Sequence, residues 1–141
     1  MGQVEKFIHI RSHKFQALPG EEEEIVNEGM YGKALCKYLQ KELLKYNYES
    51  PTYYCEDWGW MLEIHNLPKG LDVCVYCDPE KNPPTEYVIC NSALSDKKWS
   101  WKNFSYIDLK PFIEKLNKDL VEIFAADSQV ELVQVTEEMP F

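Results

Sequence analysis

From Leu109 to Phe124 apolar side chains recur at helical spacing: Leu109, Phe112, Ile113, Leu116, Leu120, Ile123 and Phe124. A stripe this wide has to be covered, so it demands an amphipathic helix lying on a second layer. Asp108 stands where an N-cap belongs, and Pro111 is tolerated in a first turn. A second stripe runs from Met30 to about Tyr46 through Tyr31, Ala34, Leu35, Tyr38, Leu39 and Leu43. Lys33, Lys37, Lys41 and Lys45 follow the opposite side at i, i+4 and read as a wet face. Asn27 is the expected N-cap of this helix, with Glu28 in its first turn, and Glu49-Ser50-Pro51 ends it.

Alternation places strands around the helices. They are expected at Val4–Ile10, Trp58–His65, Leu71–Cys77, Glu86–Cys90 and Val130–Val135, while Lys98-Trp99-Ser100-Trp101 reads as a strand or a loop. Pro68-Lys69-Gly70 and Asn82-Pro83-Pro84 supply turns. The order β-α-β-β-β-α-β predicts an α+β two-layer sandwich. Its mostly antiparallel sheet of about five strands would carry both helices on one face. A chain of 141 residues without a linker or repeat is expected to be one domain over 1–141.

Lys and Arg total 15 against 24 Asp and Glu, a net charge of −9, and Arg11 is the sole arginine. General nucleic-acid binding is therefore not expected, since phosphates need clustered cations. No apolar run reaches ~18 residues and no export signal is visible, so a cytoplasmic protein with no membrane partner is expected. Met1-Gly2 resembles a myristoylation start, but Lys6 occupies the position of the required hydroxyl.

The five cysteines are Cys36, Cys55, Cys74, Cys77 and Cys90, an odd number that suits reduced, buried thiols. Cys74 and Cys77 lie three apart on a strand and so face opposite ways, which does not suit zinc or dithiol chemistry. His9 and His13 are too far apart along an extended segment for one metal. Neither a catalytic motif, a metal set nor a cofactor loop is present, which argues against an enzyme and predicts no cofactor. His65 could pair with Cys74 or Cys90 on a neighbouring strand, but so could any two residues in a small sheet, and Glu56 and Asp57, adjacent on a strand, diverge too far to share a proton.

The densest cluster of unusual residues is Glu56-Asp57-Trp58-Gly59-Trp60. On a continuous strand Trp58 and Trp60 would share a face, with two acids at its mouth and Gly59 admitting a close approach. Tyr31 and Gly32, opening the first helix, would reach that strand, and Tyr76 would flank it. Glu56, Asp57, Trp58, Trp60, Tyr31 and Tyr76 are thus the candidate residues for a small aromatic or cationic ligand. The competing reading buries both indoles and uses Glu56 and Asp57 to cap a turn. Trp99 and Trp101 repeat the W-x-W spacing.

The run Glu21-Glu22-Glu23-Glu24-Ile25-Val26-Asn27-Glu28-Gly29-Met30-Tyr31-Gly32-Lys33-Ala34-Leu35, followed by Glu56-Asp57-Trp58-Gly59-Trp60, resembles a family of small bacterial single-domain proteins of unassigned function, some on mobile gene cassettes. That family's pattern has an acidic run, Asn-Pro-Gly-x-Tyr-Gly-Lys-Ala-Leu on a helix and Glu-Asp-Trp-Gly-Trp on a strand. Glu28 stands here in place of the proline, and the likeness covers about the first half of the chain. It implies family membership and no activity. The sequence thus favours a non-enzymatic binding module with an aromatic and acidic cleft. The alternative is an acidic, immunity-type protein that neutralises a basic partner. A homodimer through a sheet edge or through Trp99 and Trp101 is compatible with both.

Overall fold

A computed structural model describes residues 6–50, 52–81, 83–93 and 95–140. Its elements are β1 (Phe7–Arg11), a 3-10 turn (Glu21–Glu23), α1 (Lys33–Leu44), β2 (Tyr53–Cys55), β3 (Trp60–Leu62), β4 (Val73–Cys77), β5 (Glu86–Asn91), β6 (Lys97–Ser100), β7 (Ser105–Asp108), α2 (Lys110–Ala125) and β8 (Glu131–Thr136). The main sheet has six strands in the order β2-β3-β4-β5-β1-β8, and β6 and β7 form a separate hairpin. Every neighbouring pair in the main sheet is antiparallel. This is the expected α+β class, with one more strand in the main sheet than predicted.

One face of the sheet carries Ile8, Ile10, Trp60, Leu62, Val73, Val75, Tyr87 and Ile89, all buried in a single core. The helices close that core with Leu35, Leu39 and Leu43 from α1 and Leu116, Leu120 and Phe124 from α2. Both apolar stripes therefore do what their spacing demands. Lys37, Lys41 and Lys45 are exposed, as a wet face requires.

The helix starts differ from expectation. α1 begins at Lys33 behind Gly32, not behind Asn27, because residues between them turn through Gly29 at a φ of 84°. α2 begins at Lys110 behind Leu109, while Asp108 Oδ1 accepts the Lys110 N–H at 3.0 Å and so still serves the first turn. β2 and β7 are additional strands. The expected strand from Trp58 shortens to Trp60–Leu62 because residues 56–59 form a turn, closed by the Glu56 N–H donating to Gly59 O at 2.6 Å. The expected strand start at Val4, the Met1-Gly2 reading, and Pro51 and Asn82 lie outside the described residues.

Two side-chain triads tie the helical layer together. Tyr38 on α1 donates to Asp127 Oδ2 at 2.8 Å, where Lys14 Nζ also donates at 2.6 Å. Tyr48 donates to Asp119 Oδ2 on α2 at 2.6 Å, where Lys115 Nζ donates at 2.6 Å. Each lysine also lies over its tyrosine ring, at 4.7 Å and 4.9 Å from the centroid respectively.

Candidate functional site

Trp60 opens β3 and is 2% exposed. Its indole Nε1 donates to Met30 O at 2.6 Å, and its ring tilts against Tyr53 with centroids 6.3 Å apart. Gly32 lies close against that ring, since a Cβ there would fall 2.7 Å from Trp60 Cδ1. The N-cap of α1 is thus a residue that can carry no side chain, and the helix's first N–H groups need a partner from elsewhere.

Glu21 supplies it. Its carboxylate is fully buried: Oε2 accepts the N–H groups of Gly32 at 2.9 Å and Lys33 at 3.1 Å, and Oε1 accepts that of Leu18 at 2.9 Å. A buried acid is tolerable here because three backbone donors and the positive end of a helix surround it. Of the acidic run, Glu22, Glu23 and Glu24 are exposed, whereas Glu21 is structural.

Beside this frame lies a groove of about 630 Å³ lined by Glu24, Lys33, Tyr53, Tyr54, Cys55 and Trp60. Three consecutive β2 residues line it, so it runs along the strand's edge rather than over one face. β2 pairs only with β3 among the described residues, which leaves its outer edge open. Lys33 Nζ meets Glu24 Oε2 at 2.5 Å across the groove, and that carboxylate raises the lysine's pKa. Burial raises the pKa of both Tyr53 and Cys55, so phenol and thiol stay neutral near pH 7.

The groove has an acidic rim. Asn27 Nδ2 donates to Asp57 O at 2.7 Å, and the Val26 N–H reaches Cys55 Sγ at 3.4 Å, drawing the 21–30 loop against the β2–β3 turn. Exposed Glu22, Glu23, Glu24 and Glu28 thereby share one end of the molecule with Asp57 and half-buried Glu56.

The six residues expected to form one cleft separate. Trp60 lines the groove, and Glu56 and Asp57 sit in the adjoining turn. Trp58 leaves them: its ring packs on Tyr76, centroids 5.1 Å apart. Tyr76 stands between core-facing Val75 and Cys77 and so faces away from the helices. The same-face reading of Trp58 and Trp60 is corrected because alternation does not pass through the 56–59 turn. Gly59 admits backbone instead: a Cβ there would lie 2.5 Å from Val75 O. Tyr31 packs against the core, and its N–H bonds Cys77, whose thiol burial pushes up to about 12.

The groove also takes in Glu24, Lys33, Tyr53, Tyr54 and Cys55, none of them among the six candidates. Lys33 belongs to the row of lysines whose spacing predicts a wet face, and Tyr53, Tyr54 and Cys55 are a run of strand formers too short to carry weight unaided. Cys74 and Cys77 do face opposite ways, and Cys74 instead stands opposite Cys90 on β5. His9 Nε2 lies 2.9 Å from Glu86 Oε1, and His65 lies beside Glu63 at 3.6 Å. Among the described residues no group of three His, Cys, Asp or Glu is placed to hold a metal. Nor is any of their helices long and apolar enough to cross a membrane.

Comparison of the chain with family models, curated proteins and solved structures gives no match. The class defined by the fold and groove is a two-layer α+β domain with an acid-rimmed opening at one sheet edge.

Proposed function

We propose that the protein is a non-enzymatic binding module that takes a small aromatic or cationic ligand in the β2-edge groove. The observation that carries this reading is the groove's lining: two tyrosines and an indole edge beside exposed carboxylates. Aromatic walls suit a planar or cationic body, and the acids favour positive charge. The volume is that of ordinary small-molecule sites. Glu21 and Gly32 hold the walls in place, which reduces the ordering cost of binding.

A thermal-shift screen of aromatic and cationic metabolites, at fixed protein and salt concentration, tests the proposal. A ligand at ~100 times its dissociation constant adds about 2.7 kcal/mol to native stability, a readable rise in Tm. The rise should vanish in Tyr53→Ala, whose side chain is a groove wall. A cooperative melt that no such ligand moves would defeat the small-ligand reading.

The open edge of β2 favours a second reading, in which a basic segment of a partner protein pairs with the edge while the acidic rim holds its cations. Salt-sensitive binding of lysine-rich peptides, lost on substituting Glu24 and Asp57, would distinguish it from small-molecule capture.

A further inference from the structure

Net charge −9 hides an uneven distribution. Between residues 97 and 107 the chain reads Lys97-Lys98-Trp99-Ser100-Trp101-Lys102-Asn103-Phe104-Ser105-Tyr106-Ile107, with three lysines and no acid. This is the β6–β7 hairpin. Trp99 stands opposite Tyr106 and Lys98 opposite Ile107, so the two pairs occupy opposite faces. The Ile107 face leans on the core, and Lys98 Nζ donates to Lys69 O. The other face carries an aromatic cluster: Trp99 packs edge-on against Trp101, Phe104 and Tyr106, with centroids 5.7, 5.4 and 5.1 Å away. Trp101, Phe104 and Tyr106 are 78%, 73% and 67% exposed. Asp96 and Asp108 flank only the base.

We propose that this hairpin is a docking element for anionic lipid surfaces. Trp101 and Phe104, in the turn between β6 and β7, are the most exposed of the cluster's side chains. Trp and Tyr settle at the headgroup level, where an apolar ring and a polar N–H or O–H are both accommodated. Lys102 in the turn between β6 and β7 and exposed Lys69 at the neighbouring turn supply the charge complement to anionic headgroups, whereas Lys97 stands opposite Asp108 at the base.

The acidic remainder of the chain does not oppose this. The hairpin abuts the Lys69-Gly70 turn before β4, whereas the Glu56–Asp57 turn and the acidic loop lie beyond the far end of β3 and β4. The five residues of β4 at ~3.4 Å each put about 17 Å between them, well over the ~8 Å Debye length at physiological salt. The expectation of no membrane partner rests on the lack of a long apolar run, which bears on spanning a bilayer and not on docking to its surface.

Flotation of the full chain with phosphatidylcholine vesicles, with and without phosphatidylglycerol, tests the proposal. Association is expected with the anionic vesicles, weakened by salt and by ~5-fold for each of Lys69→Gln and Lys102→Gln. The Trp101→Ser/Phe104→Ser variant should not associate, although it should keep a cooperative melt because neither side chain belongs to the core. Brominated lipids should quench the tryptophan fluorescence of the unaltered chain, which reads insertion without any substitution. Absence of both flotation and quenching overturns the proposal, as does equal flotation by the serine variant. Salt-sensitive binding of a single-stranded oligothymidylate without vesicle association would assign the hairpin to nucleic acid instead.

Discussion

The carboxylate of Glu21 and the backbone N–H of Gly32 meet at 2.9 Å in the interior of the protein, eleven residues apart in the chain. This one bond joins the acidic loop to the start of α1 and holds Gly32 against Trp60. Without a side chain at the N-cap, the helix borrows a cap from the loop. The groove wall and the helix start are therefore one structural unit.

Glu21→Ala should cost about 1–3 kcal/mol of stability, the range for removing a charged partner from buried donors. Urea denaturation of both proteins measures it. The same variant should loosen the groove, so ligand-dependent stabilisation should fall as well. A loss under ~0.5 kcal/mol, the scale of ordinary surface substitutions, would contradict the role given to this carboxylate.

Gly59→Ala is expected to be more damaging than a glycine-to-alanine change in an open turn. The new Cβ would stand 2.5 Å from Val75 O, and a backbone carbonyl paired in a sheet cannot retreat as a flexible side chain can. Overpacking of this kind costs about 1–3 kcal/mol. Gly20→Ala is the control for space: nothing lies within 4 Å of its Cβ, though its φ of 80° keeps it strained. Paired Tm measurements should rank Gly59→Ala as the more destabilised of the two.

How much of this was legible follows the range of each interaction. The helices were, because Leu109 to Phe124 and Tyr31 to Leu43 carry their periodicity locally. Strands β4 and β5 were legible for the same reason. The order β5-β1-β8 was not, since it joins segments far apart in the chain by backbone pairing that leaves no local pattern. Glu21 was hidden among four identical side chains, and its partners lie on another element. Trp58 and Trp60 misled because the period of two was carried through residues that turn. The glycine between them marked the backbone approach that breaks the period.

Acid should weaken the fold partly through Glu86. Arg11 Nε donates to it at 2.6 Å and His9 Nε2 lies at 2.9 Å, and Arg11 foremost holds its pKa below the usual carboxylate range. The pKa of Asp127 is lowered in the same sense by Lys14. A depressed folded pKa gives stability that is present above the unfolded value, ~4.3 for Glu, and is lost as pH falls through the folded value. Glu86→Gln should therefore be destabilised by about 1–3 kcal/mol at pH 7, with the gap to the unaltered chain closing below about pH 4. Urea midpoints at the two pH values measure this, and a gap that stays constant would contradict it.

Alkali should act through Tyr48. Burial, with Asp119 adding to it, raises its pKa to about 12. A raised folded pKa gives stability that is present below the unfolded value of ~10 and is lost as pH rises through the folded one. Tyr48→Phe removes the titrating group, so its stability should decline less steeply between about pH 10 and 12. The slopes of Tm against pH for the two proteins decide it.

On the proposed reading, ligands enter beside Trp60 and not over the Trp58–Tyr76 face. The indole N–H signals of the four tryptophans in a 15N-edited NMR spectrum report on it directly, once assigned by single Trp→Phe substitutions. During titration with a ligand from the thermal-shift screen, the Trp60 signal should move while those of Trp58, Trp99 and Trp101 stay in place. Movement of the Trp58 signal with Trp60 unmoved would contradict the claim and place binding on the opposite face of the sheet.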